Sequence, residues 1–141
     1  MARQLAPDTP LFAGGKSFGG RMTSQAQAAS PLPQVAGLAF VGFPLHPAGK
    51  PARERADHLA QVTVPMLFLQ GTNDELAALD LLVPEVKALG MRATLVTFDD
   101  ADHAFHVPAK SGRRDADVRA ALADAMRDWM ARVVNDSRAT P

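Results

Sequence analysis

The apolar positions of this chain fall into short runs separated by longer amphipathic stretches. Leu11-Phe12-Ala13-Gly14 is a brief run that reads as a strand, and Phe18 to about Ala29 reads as the helix after it. Val35–Phe43 (V-A-G-L-A-F-V-G-F) is apolar almost without a break, as expected of a strand covered on both faces in a parallel sheet. Pro44 ends it, and Pro47, Gly49 and Pro51 mark a loop before a predicted short helix over Ala52–Gln61. A third strand is predicted over Pro65–Gln70, closing on Gly71. Leu79, Leu82, Val83, Val86 and Leu89 then recur at helical spacing before the stop signal Gly90. Pro84 is tolerable there only in a first helical turn. Ala93–Phe98 is the fourth predicted strand. Val118, Leu122, Met126, Trp129, Met130 and Val133 form one stripe on a helix from about Asp115 to Val134, and Asn135–Pro141 reads as a polar tail that frays.

Strands alternating with helices predict an α/β fold, about four parallel strands flanked by helices, with one domain over residues 1–134. Lys+Arg and Asp+Glu balance at 15 each, so no basic field points to nucleic acid. The absence of cysteine excludes a thiol nucleophile, a disulfide framework and a zinc–cysteine site. The four histidines show no paired spacing on one helix, so neither metal nor cofactor is expected. No apolar stretch reaches the roughly 18 residues of a membrane span, and the N-terminus lacks the apolar core of a secretory signal. A cytoplasmic protein without a membrane partner is therefore the expectation.

In open α/β sheets the functional groups gather beyond the carboxyl ends of the strands. After the first predicted strand comes Gly14-Gly15-Lys16-Ser17-Phe18-Gly19-Gly20-Arg21, which contains a G-x-S-x-G core at a strand-to-helix turn. The glycines two before and two after the serine are expected to leave room where a Cβ would collide. Pro44-Leu45-His46 follows the second strand, Gly71-Thr72-Asn73-Asp74-Glu75 the third, and Asp99-Asp100-Ala101-Asp102-His103-Ala104-Phe105-His106 the fourth. A serine, a carboxylate and a histidine thus arise in that chain order, each after its own strand. A serine hydroxyl needs a base to attack a carbonyl, and the base needs a carboxylate to hold its tautomer. Ser17, His103 and Asp74 fit those roles, with the backbone N–H of Phe18 as an oxyanion donor. Competing readings remain. Ser17 suits a helix N-cap, Asp74 suits a turn with Glu75 as a rival acid, and His106 rivals His103. Gly15-Lys16-Ser17 also resembles the end of a phosphate loop, but Pro10 stands where that motif needs its first glycine.

Four stretches carry a family resemblance: Pro10–Met22, Gly42–Pro51, Leu67–Asp74 and Asp100–Phe105. Through them the chain resembles the C-terminal part of a dienelactone-hydrolase-like α/β-hydrolase, and is similar to the small hydrolases related to testis-expressed protein thirty. The resemblance implies Ser17 as nucleophile, Asp74 as acid and His103 as base, acting through an acyl-enzyme on a small-molecule ester, thioester or lactone. It also implies that the proline-rich loop after the second strand lies near the pocket mouth, with His46 and Lys50 towards substrate. His46 and Lys16 are the candidate substrate contacts.

The family places several strands before the serine-bearing one, whereas ten residues precede Leu11 here. The expected fold is therefore an α/β-hydrolase without its N-terminal strands, open at one sheet edge. Two consequences are expected. The edge is covered by self-association into a homo-oligomer, by pairing with another polypeptide or by rearrangement, and activity suffers because a second oxyanion donor normally follows an earlier strand. Losing one donor costs on the order of 3 kcal/mol of transition-state stabilisation. The alternative expectation is a non-catalytic interaction module that keeps the scaffold.

Overall fold

The computed structural model describes residues 9–139 of the chain. Four strands, β1 (Leu11–Lys16), β2 (Val35–Val41), β3 (Met66–Gly71) and β4 (Ala93–Phe98), form one parallel sheet in the order β1-β2-β3-β4. Three α-helices accompany it: α1 (Phe18–Ala29), α2 (Leu79–Ala88) and α3 (Asp115–Ala139).

The near-continuous apolar runs are explained by a two-sided core. Side chains alternate across a strand, so β3 sends Met66 and Phe68 to one face and Leu67 and Leu69 to the other, all fully buried. The first face packs against Leu82 and Val86 of α2, Leu59 and Val62, and part-buried Ala28 of α1. The second packs against Val118 and Trp129 of α3, with Leu122 and Met126 filling in beside them. Each such side chain fully buried contributes about 1.5–3 kcal/mol before its ordering entropy is subtracted.

Strand β1 differs from its neighbours. None of its residues is fully buried, and among the described residues it pairs only with β2. Its best anchor is Phe12, whose ring lies 5.4 Å from that of Trp129 on α3.

Several boundaries differ from the sequence expectation. β1 runs on to Lys16, because Gly14 and Gly15 can extend where bulkier residues would meet Ala39 or the start of α1. β2 stops at Val41, because Gly42 adopts a φ of 74° and turns the chain before Phe43. The segment predicted as a helix over Ala52–Gln61 is a 3-10 helix, Glu54–Gln61. Pro84 lies inside α2, as its sixth residue rather than in a first turn. Its ring faces solvent, so water can satisfy the carbonyl that its missing N–H leaves open. Finally, α3 continues past Val134 to Ala139, so residues 135–139 of the expected frayed tail are helical.

Candidate active site

Ser17 follows the last residue of β1 and precedes the first of α1, with φ 54° and ψ −123°. A non-glycine residue in that region costs on the order of 1–3 kcal/mol. Two backbone bonds hold it there. The Ser17 N–H donates to the Val41 carbonyl at 3.0 Å, and the Ser17 carbonyl accepts from Arg21 N–H at 3.1 Å. The turn is tight enough that a Cβ on Gly15 would lie 2.8 Å from the Gly20 nitrogen, and one on Gly20 would lie 2.6 Å from the Gly15 oxygen. A Cβ on Gly19 would meet nothing within 4 Å. The steric need therefore falls on Gly15 and Gly20, not on Gly15 and Gly19 as the motif suggested.

Ser17 occupies the N-cap position of α1, yet its side chain makes no cap bond. Its hydroxyl instead lies 2.6 Å from His103 Nε2, and His103 Nδ1 lies 2.8 Å from Asp74 Oδ2. A carboxylate oxygen can only accept, so the proton sits on Nδ1 and Nε2 is left to accept from the serine. Asp74 is fully shielded at its side chain while His103 keeps 22% of its own exposed. Asp74 Oδ1 also accepts from Leu76 N–H at 2.8 Å, so the residue shapes its own turn as well as facing the histidine. The rivals point elsewhere. Glu75 is exposed, and His106 bonds Asp115 at 2.7 Å with most of its ring in solvent.

The two loops bearing Asp74 and His103 are laced together at the carboxyl ends of β3 and β4. Thr72 N–H donates to the Phe98 carbonyl, Asn73 N–H to the Ala101 carbonyl, and Asp100 N–H to the Thr72 hydroxyl. Gly71 makes this approach possible, since a Cβ there would lie 2.2 Å from the Ala101 oxygen. Beyond that point Asp102 Oδ1 accepts from both Ala104 and His106 N–H, and Phe105 takes a φ of 63°. Burial of the Phe105 ring edge-on against Phe98 offsets the strain of that turn.

Two residues missed by sequence reasoning complete the surroundings. Gln70 ends the apolar run of β3, fully buried, and its Nε2 donates to Asp74 Oδ2 at 3.3 Å. Its Oε1 accepts from Phe43 N–H. A lone amide inside M-L-F-L-Q-G was the available signal, because a buried polar group must find partners. Gly42 is the second: the position a Cβ would take lies 3.3 Å from His103 Cε1.

His46 and Lys16 end up in different places. Lys16 is exposed at the last position of β1. His46 is buried and both ring nitrogens are occupied: Ala78 N–H donates to Nε2 at 2.9 Å, and Nδ1 donates to the Pro47 carbonyl at 2.8 Å. Its own N–H donates to the Leu76 carbonyl. The expected substrate contact is thus a clamp on the loop that carries Asp74, with no ring nitrogen left over for a ligand.

A second serine–histidine contact joins Ser24 of α1 to His58 at 2.6 Å, but Ser24 is fully buried and also bonds the Arg21 carbonyl. Burial first, then Arg21, holds His58 below its ordinary value, with Asp57 opposing. This pair fastens α1 to the 3-10 segment and offers nothing to a substrate. A cleft of about 520 Å³ lined by Ala36, Pro65, Thr94, Trp129 and Arg132 sits at the amino ends of the strands, away from Ser17. The chemistry and the cleft are on opposite rims, and the hydrogen-bonded side chains locate the site. Among the described residues no cluster of His, Asp and Glu could hold a metal ion, and no helix is long and apolar enough to cross a membrane.

Comparison with known proteins gives the same outline. The family model described as alpha/beta hydrolase domain matches residues 1–131. An α/β serine hydrolase without lid from Xanthomonas campestris is 28% identical, with a TM-score of 0.61 over 91% of this chain and 51% of that one. An alpha-beta serine hydrolase homologue from Coxiella burnetii is 24% identical, with a TM-score of 0.57 over 74% of this chain and 46% of that one. An esterase domain from Rhodothermus marinus is 19% identical, with a TM-score of 0.64, and shares the fold over 93% of this chain and 65% of that one. The chain thus spans about half the length of the first two structures. No curated protein matches it.

Proposed function

The chain belongs to the alpha/beta hydrolase domain family, and on that premise we propose that it is a serine hydrolase of small-molecule esters, thioesters or lactones. The observation that carries this reading is the unbroken line from Ser17 Oγ through His103 to the shielded Asp74 carboxylate. In this reading His103 Nε2 takes the hydroxyl proton as Ser17 Oγ bonds to the acyl carbon. Asp74 holds the Nδ1–H tautomer and stabilises the imidazolium. The oxyanion receives the Phe18 N–H, which precedes the first backbone bond of α1 and points out of the helix N-terminus. His103 then returns the proton to the departing alcohol, thiol or lactone oxygen. Water, activated by the same imidazole, releases the acid and restores Ser17. Exposed Lys16, next to the serine, is the candidate to meet a substrate's polar end.

A fluorophosphonate probe followed by peptide mass spectrometry tests the proposal. Labelling is expected at Ser17, abolished in Ser17→Ala and His103→Ala, and slowed by a factor on the order of 10⁴ in Asp74→Asn. A folded chain that takes no label at Ser17 overturns the reading. The non-catalytic alternative is favoured by β1, which among the described residues pairs on one side only, and the same result would support it.

A further inference from the structure

The turn leaving β2 is tied to every member of the hydrogen-bonded line, to Ser17 and His103 directly and to Asp74 through one side chain. Val41 accepts the N–H of Ser17, Gly42 lies against the His103 ring, and Phe43 N–H donates to Gln70, which donates in turn to Asp74. Three consecutive residues thus serve as a common reference for side chains drawn from three other segments. Two of these links are direct. The third, to the acid, needs an intermediary because Asp74 lies beyond the end of β3, and Gln70 is that intermediary.

We propose that Gln70 is a positioning residue, whose amide fixes the Asp74 carboxylate to the Val41-Gly42-Phe43 turn and thereby sets its alignment with His103. The chemistry suits an amide alone. Gln70 must accept from a backbone N–H at one end and donate to a carboxylate at the other, and both ends are buried. An ionised glutamate could accept from Phe43 but would face Asp74 with a second negative charge. Leucine would fill the volume and leave the Phe43 N–H and one carboxylate lone pair unpaired. The donated bond shares Asp74 Oδ2 with His103, so Gln70 acts on the orientation of the very oxygen that holds the imidazole. The assignment rests on the hydrolase reading for its catalytic meaning, and on geometry alone for the coupling to His103.

The test uses the full chain with Gln70→Glu and Gln70→Leu, and reads both the ¹⁵N NMR titration of His103 and the pH profile of fluorophosphonate labelling. Protonated glutamate reproduces both bonds. Gln70→Glu should therefore approach the parent labelling rate where the added carboxyl is protonated and fall below it progressively as that carboxyl ionises, while the His103 midpoint rises. Gln70→Leu should slow labelling by roughly 10- to 100-fold, the loss of one hydrogen bond to a charged group. If Gln70→Leu does not fold, the ratio of Gln70→Glu to parent labelling across the pH profile carries the test. An unmoved His103 midpoint together with an unmoved labelling profile in folded Gln70→Glu overturns the proposal. Should Ser17 take no label in any variant while the His103 midpoint still moves in the uncharged Gln70→Leu, the hydrolase reading fails and the positioning by Gln70 stands.

Discussion

At the scale of single residues, the two glycines after Phe18 look alike in sequence and differ in what surrounds them. Gly20 sits against the Gly15 carbonyl, while Gly19 faces open space. Alanine is the better helix former by about 1 kcal/mol, so Gly19→Ala should leave stability unchanged or raise it by up to that amount. Gly20→Ala should cost about 1–3 kcal/mol, because the elbow backbone must shift to admit a methyl group. It should also slow labelling of Ser17, since the displaced atoms carry the nucleophile. Thermal melts and labelling rates of the two variants check both statements, and equal behaviour would contradict them. The same contrast explains how legible the site was. Ser17, Asp74 and His103 could be read because each carries its chemistry in its own side chain and follows a strand. Gln70, Gly20 and the clamping role of His46 could not, because their roles consist of neighbours that only folding supplies.

Among the elements, strands were the most legible, since a sheet covered on both faces imprints an uninterrupted apolar run. Helices depended on context: the 3-10 segment Glu54–Gln61 has the amphipathic look of an α-helix, and Pro84 is admitted within α2 only because its face is exposed. The contact between α3 and the histidine-bearing loop yields a pH prediction. His106 donates to Asp115, the first residue of α3, whose other oxygen accepts from Val107 N–H. That hydrogen bond first, then the charge of Asp115, raises His106 above its ordinary 6.5. The bond from His106 likewise leads the causes that lower Asp115 below 3.8. The histidine's contribution is complete below 6.5 and fades as pH rises through its raised value. That of the aspartate is complete above 3.8 and fades as pH falls through its lowered value. His58 runs the other way, since its lowered value makes folding less favourable as pH drops below 6.5. His106→Ala should therefore lower Tm more at pH 5.5 than at pH 8.5. An equal loss at both would mean that the pair's charge contributes nothing and only its packing matters.

For the whole molecule the governing feature is the side of β1 away from β2, where no described residue pairs with it. Backbone N–H groups alternate along a strand, and Ser17 N–H points at β2, so Phe12, Gly14 and Lys16 direct theirs to the unpaired side. An open edge of this kind is a template for another strand, and Lys16 is its only charged residue. We propose that a second copy pairs there in antiparallel register about Gly14. Phe12 then faces Lys16 of the second copy, so like charges never oppose, and the outward groups of all three residues pair. Sedimentation velocity is accordingly expected to show a monomer–dimer equilibrium that tightens with concentration. Hydrogen exchange adds the site: protection at Phe12, Gly14 and Lys16 should grow with concentration while that of β3 stays constant. A monomer at all concentrations, with those three amides exchanging freely, would rule out self-pairing. Covering β1 should also steady Ser17, which begins where that strand ends, so labelling per chain is expected to rise with dimer fraction. Lys16 ends β1 and Ser17 follows it, so on the proposed reading a concentration dependence of labelling is the sign that pairing at this edge reaches the serine.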